Sequence, residues 1–444
     1  MNTDRSARGV RCGATRKRGT TGRRVRQSAL AVAVAVLGVA MVAACSSSDS
    51  KSGDPRSPAT SGANPAAAGG SPAPAGDPIT IGAIESTSGP LGNPLWGTIA
   101  DVWEKWTNAH GGLNRHPVKV ITRDNAGDPA KALSAAKELV EKDHVVAIAG
   151  SIASGGASIA SYANDAKVPV VGGQVAGIGG PYLFPSQVDI VPSLAGATKI
   201  AKQSGASKFA ALMPAGGPIS PDQTRAVFSD AAKAGDLTLS YFASLSPAAP
   251  DYSAPCLALT ASGAESTFVS VSPTVNQKVI QTCLQQGYRG SFIQNSVFFL
   301  YPNTDGGTAA KNYSNAKMYV EDAVWPWYDQ STQAQKDYFA AIAQYAPGML
   351  TKTGYGPAVQ EAWVGFQLFA EAAKLGQLGP KSTMADVVNA LYQIHDDDLG
   401  GLTGPLTYNR GDQKHASNCY FVSQLQDRKW ADAFGGAAQC VGAS

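Results

Sequence analysis

Short apolar runs alternate with amphipathic segments through most of the chain after residue 78. Runs such as Ile79–Ile84, Val118–Thr122 and Val145–Ala149 contain few charges, which is typical of strands buried on both faces of a parallel sheet. Between the runs, apolar residues recur at helical spacing, as in Leu95–Ala109 and Ala130–Asp143. This repeated strand–helix order predicts an α/β fold with parallel sheets.

The alternation continues toward the C-terminus. The further predicted strands are Val168–Val171, Lys208–Met213, Leu237–Ser244, Ser266–Val271, Ser291–Gln294, Leu402–Tyr408 and Asn418–Gln424. The further predicted helices are Ala157–Lys167, Asp222–Lys233, Ala254–Ala261, Val275–Gln286, Gln335–Tyr345, Pro357–Lys374 and Thr383–Leu391. Asp128, followed by Pro129, is predicted to cap the helix that begins at Ala130.

The strand–loop–helix unit after Val145 carries the first candidate site. Its loop is rich in small hydroxyl and glycine residues, namely Ser151, Ser154, Gly155 and Gly156. In parallel sheets ligands bind at the carboxyl ends of the strands. Serine hydroxyls and free N–H groups at a helix start could bind a carboxylate or another acceptor. The alternative is that these residues only cap the helix.

The N-terminal pattern predicts export. Residues 1–27 contain nine Lys or Arg and one acid, and residues 29–44 have no charge. A basic segment before a short apolar core is typical of a secretory signal, here residues 1–44, and an uncleaved membrane anchor is the alternative. Val42-Ala43-Ala44-Cys45 resembles a bacterial lipobox, so Cys45 is the expected lipidation site. The pair Arg23-Arg24 leaves the export route open between the general and the twin-arginine pathway.

Residues 45–77 are rich in Ser, Gly, Pro and Ala and are predicted to be a disordered tether. The whole chain has 36 Lys or Arg and 33 Asp or Glu. Nine of the basic and one of the acidic residues lie in 1–44, so 27 and 32 remain and the mature charge is −5. This argues against a nucleic-acid partner, which requires a basic folded surface.

Four cysteines lie in the part of the chain predicted to fold. An even count in an exported protein fits two disulfides, and three pairings are open. Sequence proximity favours Cys256–Cys283 and Cys419–Cys440. A metal site is not expected, because CxxC is absent and the five histidines are scattered.

The sequence predicts neither an enzyme nor a cofactor. It has no GxSxG elbow, no phosphate-binding P-loop and no HExxH motif. We therefore expect no catalytic residues.

The order of several segments resembles type I periplasmic-binding proteins of the leucine/isoleucine/valine class. The matching segments are DPITIGAIESTSGP, AHGGLNRHPVKVITRDNAGDPAKA, VVAIAGSIASGGA, VPVVGG and LTGPLTYN. The resemblance implies two Rossmann-like α/β lobes with parallel sheets, joined by a hinge of three segments. Lobe 1 would comprise 78–193 and 322–416, and lobe 2 would comprise 194–321 and 417–444.

The resemblance also implies a function. Such proteins are the solute-binding subunits of ABC importers, and their partners are a permease and its ATPase. The ligand would bind between the lobes, and the lipid anchor would be the only membrane attachment, on the outer face of the cytoplasmic membrane. A surface ligand sensor of the same fold, or a secreted hydrolase, is the alternative.

The resemblance points to ligand residues on both lobes. From lobe 1 they are Ser88 and Trp96 in and after the first loop, Ser151, Ser154 and Gly155 after the third strand, and Gln174 and Val175 after the fourth. From lobe 2 they are Ser272, Asn295 and Ser296. Trp325 is expected as a pocket wall.

Amino-acid-binding members of the family place a hydroxyl near position 176, an acid near 296 and often an aromatic near 272. This chain has Ala176, Ser296 and Ser272 there. A buried ammonium group needs a compensating charge. We therefore expect a neutral or acidic, partly apolar solute: a carboxylate, an amide or an aromatic compound. Glu85, Glu321 or Asp322 could supply a replacement acid for an amino-acid-like ligand.

Overall fold

The first sheet contains five parallel strands in the order β2-β1-β3-β4-β5. In the computed structural model these are β1 Ile79–Glu85, β2 Val118–Asp124, β3 Ile148–Ala149, β4 Val170–Val171 and β5 Leu183–Phe184. The helices that connect them are α1 Pro94–Ala109, α2 Pro129–Glu141 and α3 Gly156–Ala166. The structure describes residues 73–441 except 90–91, 154, 174–178, 189, 216–219, 272, 297–315, 353, 412–416 and 427–428.

The second sheet has the order β12-β11-β10-β9-β8-β6-β7, and β13 pairs with β11. Strands β6 to β10 are parallel, whereas β11, β12 and β13 pair antiparallel. The strands are β6 Lys208–Pro214, β7 Thr238–Leu245, β8 Ser266–Val269, β9 Ser291–Asn295, β10 Lys317–Asp322, β11 Cys419–Gln426, β12 Lys429–Asp432 and β13 Gln439–Cys440. The helices of this lobe are α4 Ile190–Gln203, α5 Pro221–Ala234, α6 Ser253–Ala261 and α7 Pro273–Gln285.

The chain passes between the two sheets three times. It first leaves β5 for α4, which packs on β8, β9, β10 and β11. After β10 it returns to the first sheet through α8 Gln333–Tyr345 and α9 Pro357–Leu375, and α9 packs on α1, β3 and β4. After α10 Met384–Leu391 it enters the second sheet again at β11. The predicted α/β class with two lobes is confirmed; the exact lobe boundaries stay a prediction.

Helix caps follow the sequence closely. Asp128 is the N-cap of α2, and its Oδ1 accepts hydrogen bonds from the N–H groups of Ala130 at 2.7 Å and Lys131 at 3.2 Å. Thr332 and Thr383 open α8 and α10 with capping boxes. Such caps satisfy N–H groups that have no partner within the helix.

One predicted strand is wrong, and several elements were not predicted. Residues 402–408 form only an isolated bridge from Leu406 to Asp397. Gly404 and Pro405 lie in the middle of this segment, and proline removes a ladder donor. The elements that the sequence pattern did not predict are α4, β5, β10, β12 and β13.

Helix α9 touches the first sheet without intervening side chains. A Cβ added to Gly365 would lie 2.7 Å from the Cα of Gly150, and one added to Gly172 would lie 2.2 Å from the Cα of Gly365. These positions therefore require glycine. The contact brings α9 against the carboxyl ends of β3 and β4.

Both predicted disulfides are confirmed. Cys256–Cys283 joins α6 to α7, and Cys419–Cys440 joins β11 to β13. Within the described ranges, no helix is both long and apolar enough to cross a membrane, and no group of three or more His, Cys, Asp or Glu is placed to hold a metal ion.

Candidate ligand-binding site

The loops at the carboxyl edge of the first sheet lie against one another. Strands β1, β3 and β4 end at Glu85, Ala149 and Val171, side by side in the sheet. Gly173 has φ +72°, and a Cβ there would lie 2.3 Å from the carbonyl oxygen of Ser151. The loops after β3 and β4, which sequence reasoning assigned to the ligand, are therefore adjacent.

Ser151 is buried and helps to fix its own loop. Its Oγ accepts a hydrogen bond from the Ile84 N–H at 2.9 Å. One residue later, the Ile152 N–H donates to Oε2 of Glu85 at 3.0 Å, and the Ile152 carbonyl accepts from the Ser86 N–H at 3.0 Å. The loop after β3 is therefore attached to the end of β1 through both backbone and side chains.

Ser88 is exposed and is held by Asp124, the last residue of β2. Its hydroxyl donates to Oδ2 of Asp124, whose Oδ1 accepts from the N–H groups of Thr87 at 3.0 Å and Ala126 at 2.8 Å. Slight burial raises the pKa of Asp124, but these hydrogen bonds outweigh it and lower the pKa to about 2. Asp124 was not among the residues expected at the site, although its place directly after a strand was a usable signal.

Gly155 is the N-cap of α3, so no side chain caps this helix start. Its φ is +98°, and a Cβ would come within 2.8 Å of the Cα of Pro129. The loop turns tightly here, so a glycine is required. Four other predicted ligand residues lie outside the described residues, namely Ser154, Gln174, Val175 and Ser272.

Asn295 and Ser296, at the end of β9, contact the segments where the chain crosses between the lobes. The Asn295 amide donates to Oγ of Ser193 at 2.9 Å, and the Ala323 N–H donates to Oγ of Ser296 at 3.4 Å. Ser193 lies just after the first crossing, and Ala323 begins the second. A ligand that contacted Asn295 or Ser296 would therefore touch the hinge directly.

The two predicted aromatic walls differ in exposure. Trp96, in the first turn of α1, is half-buried, and its indole N–H has no hydrogen-bond partner among the described residues. Trp325 is 1% exposed and packs edge-on against Tyr338 with ring centroids 5.2 Å apart. Trp325 thus lies in the core, and Trp96 has the exposure that a pocket wall needs.

The three acids considered as replacement charges are all buried: Glu85, Glu321 and Asp322 are at most 1% exposed. Burial is the main cause that raises the pKa of each carboxyl well above its usual range. A hydrogen bond from Ile152 opposes the shift at Glu85, one with Ser193 opposes it at Glu321, and one from Ser423 opposes it at Asp322. Burial therefore favours the neutral form of each of these carboxyls.

A family model described as periplasmic binding protein matches residues 78–429, so the chain belongs to the periplasmic binding protein family. Solved structures of ABC-transporter solute-binding proteins share the type I fold. One from R. palustris, in complex with 4-hydroxybenzoate, is 19% identical with TM-score 0.63, covering 80% of this chain and 96% of its own.

Two further structures show the same fold. A second R. palustris solute-binding protein, in complex with benzoate, is 13% identical with TM-score 0.62, covering 82% of this chain and 98% of its own. The leucine binding protein LivK of Thermotoga maritima is 13% identical with TM-score 0.62, covering 81% and 98%. A search of the curated proteins found no significant match.

Proposed function

We propose that this protein is the exported, lipid-anchored solute-binding subunit of an ABC importer of the branched-chain amino acid type. It captures a small solute between its lobes and delivers it to a permease that an ATPase drives. The family match supports the solute-binding role. The basic and apolar pattern of residues 1–44 and the lipobox-like residues before Cys45 support export and anchoring to the outer face of the cytoplasmic membrane.

Two hydrogen bonds are the main support for the proposal. The Asn295 amide donates to Ser193, and the Ala323 N–H donates to Ser296. The end of β9 is a predicted ligand contact, and its side chains are bonded to the crossing segments. Ligand binding there would favour one arrangement of the lobes over another, as closure around a solute requires.

The buried acids favour a neutral or acidic solute. An ammonium group in a closed site needs a charged partner, and burial disfavours the charged form of Glu85, Glu321 and Asp322. Trp96 offers a half-buried aromatic ring as an apolar wall. The benzoate and 4-hydroxybenzoate complexes of the two R. palustris proteins agree with an aromatic carboxylate as the ligand.

A thermal-shift screen tests this function. The purified protein is heated with benzoate, 4-hydroxybenzoate, aliphatic acids, amides, leucine, isoleucine and valine, since a ligand raises the melting temperature by mass action. We expect a shift with a carboxylate or amide and no hydrolysis of added esters. A shift with leucine, isoleucine or valine alone would contradict the solute class, and ester turnover would contradict the binding role.

Two tryptophans of α1 provide a matched pair for the same screen. Trp96→Ala removes a proposed wall in the first turn and should reduce the ligand-induced shift. Trp106→Ala changes the same residue type in the last turn, where Trp106 packs on His110 with ring centroids 3.9 Å apart. The shift should survive this second substitution, and its equal loss in both variants would argue against a site at Trp96.

A further inference from the structure

Glu85 occupies an unusual position for an acid. It is the last residue of β1, which lies between β2 and β3, and its side chain is fully buried. Oε2 accepts the Ile152 N–H at 3.0 Å, and Oε1 is buried without a hydrogen-bond partner among the described residues. Burial of a carboxyl costs free energy unless its polar atoms are hydrogen-bonded, so the partners of Glu85 are informative.

The Ile152 N–H bond completes a set of three bonds between two loops. The Ile84 N–H donates to Ser151 Oγ, the Ile152 N–H donates to Glu85, and the Ser86 N–H donates to the Ile152 carbonyl. Strand β3 is only two residues long, Ile148–Ala149. These bonds therefore continue the pairing beyond the strand and set the direction in which the chain runs to Gly155 and α3.

Among the residues that the structure describes, no basic group influences the pKa of Glu85. On β2, Asp124 is paired in register with Glu85. The Asp124 carboxylate accepts hydrogen bonds from Ser88, Thr87 and Ala126. Arg123, the neighbour of Asp124, pairs with Asp143 at 2.6 Å. The described residues of the loop after β3 carry no charged side chain, and burial and the Ile152 bond are the two influences on the pKa of Glu85.

We propose that Glu85, in its neutral form, is a positioning residue that holds the loop after β3 in the geometry needed to bind a solute. This rests on the proposed solute-binding function. Ionisation of Glu85 loosens the loop, because the cost of burying the charge is larger than the gain from the stronger bond with the Ile152 N–H. Solute affinity therefore falls as the pH rises.

The direction follows from the raised pKa. The pKa of Glu85 is higher when the loop is folded than when it is open. Such a group stabilises the folded loop fully when the pH is below its pKa in the open loop. The stabilisation is lost as the pH rises toward the folded-state pKa. Glutamine keeps an acceptor oxygen and does not titrate, so Glu85→Gln mimics the neutral acid at every pH.

The first test needs no ligand. Amide hydrogen exchange at Ile152 is measured in the wild type, Glu85→Gln and Glu85→Leu. We expect exchange about fivefold faster or more in Glu85→Leu, where the acceptor is gone, and within about twofold of the wild type in Glu85→Gln at acidic pH. As the pH rises above the usual pKa of a glutamic acid, amide protection at Ile152 should decline in the wild type relative to Glu85→Gln.

A control and a binding measurement complete the test. Glu104 accepts the Val120 N–H at 2.6 Å elsewhere in the lobe, so Glu104→Leu removes the same kind of bond and should leave Ile152 unchanged. With 4-hydroxybenzoate as the probe, Glu85→Leu should weaken binding and Glu85→Gln should bind independently of pH. Unchanged Ile152 exchange in Glu85→Leu, or equal pH profiles in the wild type and Glu85→Gln, overturns the role of Glu85. Failure of the wild type to bind the probe rejects that solute only.

Discussion

The carboxyl group of Asp322 accepts a hydrogen bond from the Ser423 hydroxyl at 2.6 Å, which joins the end of β10 to β11 inside the protein. Both residues are buried, and Asp322 is the last residue before the chain crosses to the first lobe. Burial raises the pKa of Asp322, the Ser423 bond opposes this, and the nearby carboxylates of Glu361 and Asp432 raise it further. A buried carboxyl whose neutral form is favoured therefore lies at the start of this crossing.

Removal of the Ser423 hydroxyl should destabilise the protein. Ser423→Ala leaves a buried acceptor on Asp322 without its donor, and we expect the free energy of unfolding to fall by about 1–2 kcal/mol. Urea denaturation with the disulfides intact measures this. Ser134→Ala is the control, because Ser134 is exposed on α2 and bonds only to the Ala130 carbonyl among the described residues. Equal effects of the two substitutions would contradict the importance of the Asp322 bond.

The contribution of Asp322 to the free energy of unfolding should decline as the pH rises. Because the folded-state pKa is raised, the contribution of this group is complete below the unfolded-state pKa and declines as the pH rises toward the folded-state value. Asp322→Asn keeps an acceptor for Ser423 but does not titrate. As the pH rises above the usual pKa of an aspartic acid, the unfolding free energy of Asp322→Asn should fall less than that of the wild type. The exposed Asp165→Asn should follow the wild type, and a parallel slope in Asp322→Asn would refute the prediction.

Asp124 should show the opposite pH dependence. Its folded-state pKa is about 2, below the unfolded value of roughly 3.9. Its contribution is present above the unfolded value and is lost as the pH falls toward about 2. Asp124→Asn should cost up to about 1 kcal/mol at neutral pH, because the side chain is exposed and screened, and almost nothing near pH 2. Faster amide exchange at Thr87 and Ser88 should accompany the loss, and unaltered exchange there would contradict the role of Asp124.

The Cys256–Cys283 disulfide should stabilise the second lobe. The bond closes a loop with a sequence separation of 27 and joins two fully buried cysteines. In the chain-entropy model such a loop contributes roughly 3–4 kcal/mol, so Cys256→Ala with Cys283→Ala should lower the urea midpoint clearly. Non-reducing peptide mapping checks the pairing itself. Mapped peptides that joined Cys256 to Cys419 or Cys440 would disprove it.

The proposed anchor depends on one sulfur atom. Cys45→Ala removes the thioether on which the lipid would be built, and we expect the exported protein to move from the membrane to the soluble fraction. Fractionation of cells that express each form measures this. Replacement of Cys12, which precedes the apolar segment, is the control and should leave the distribution unchanged. Membrane retention of Cys45→Ala would reject lipidation at this residue.

The strands of the parallel sheets could be predicted because their apolar runs reflect burial on both faces. Ile79–Glu85 and Lys208–Pro214 lie where such runs do. By contrast, β10 has the sequence KMYVED with only two strongly apolar residues that are buried, and its place between β9 and β11 comes from pairing over long sequence distances. The strand at 402–408 was predicted from its apolar residues. These residues are buried, but the segment forms only an isolated bridge, so burial alone produced the apolar pattern.

The site could be predicted only in part. The resemblance pointed to Ser88, but the carboxylate that holds it lies 36 residues away on another strand. Glu85 was expected as a candidate charge, but its pKa depends on burial and on a hydrogen bond from Ile152 in another loop. Local sequence does not encode either contact, because both arise where separate loops meet at the edge of the sheet.

The glycine contact of α9 has a practical consequence for reporter design. The backbone of Gly365 contacts the backbones of Gly150 and Gly172 directly. No side chains separate α9 from β3 and β4 at this contact, so the helix cannot slide over the strands by moving side chains. Two dyes placed on α9 and α1 would keep a constant separation when a solute enters. One dye at the exposed C-terminal end of α9 and another on α5 in the other lobe would convert the proposed closure of the lobes into a change in energy transfer, and so would make this chain a fluorescent sensor.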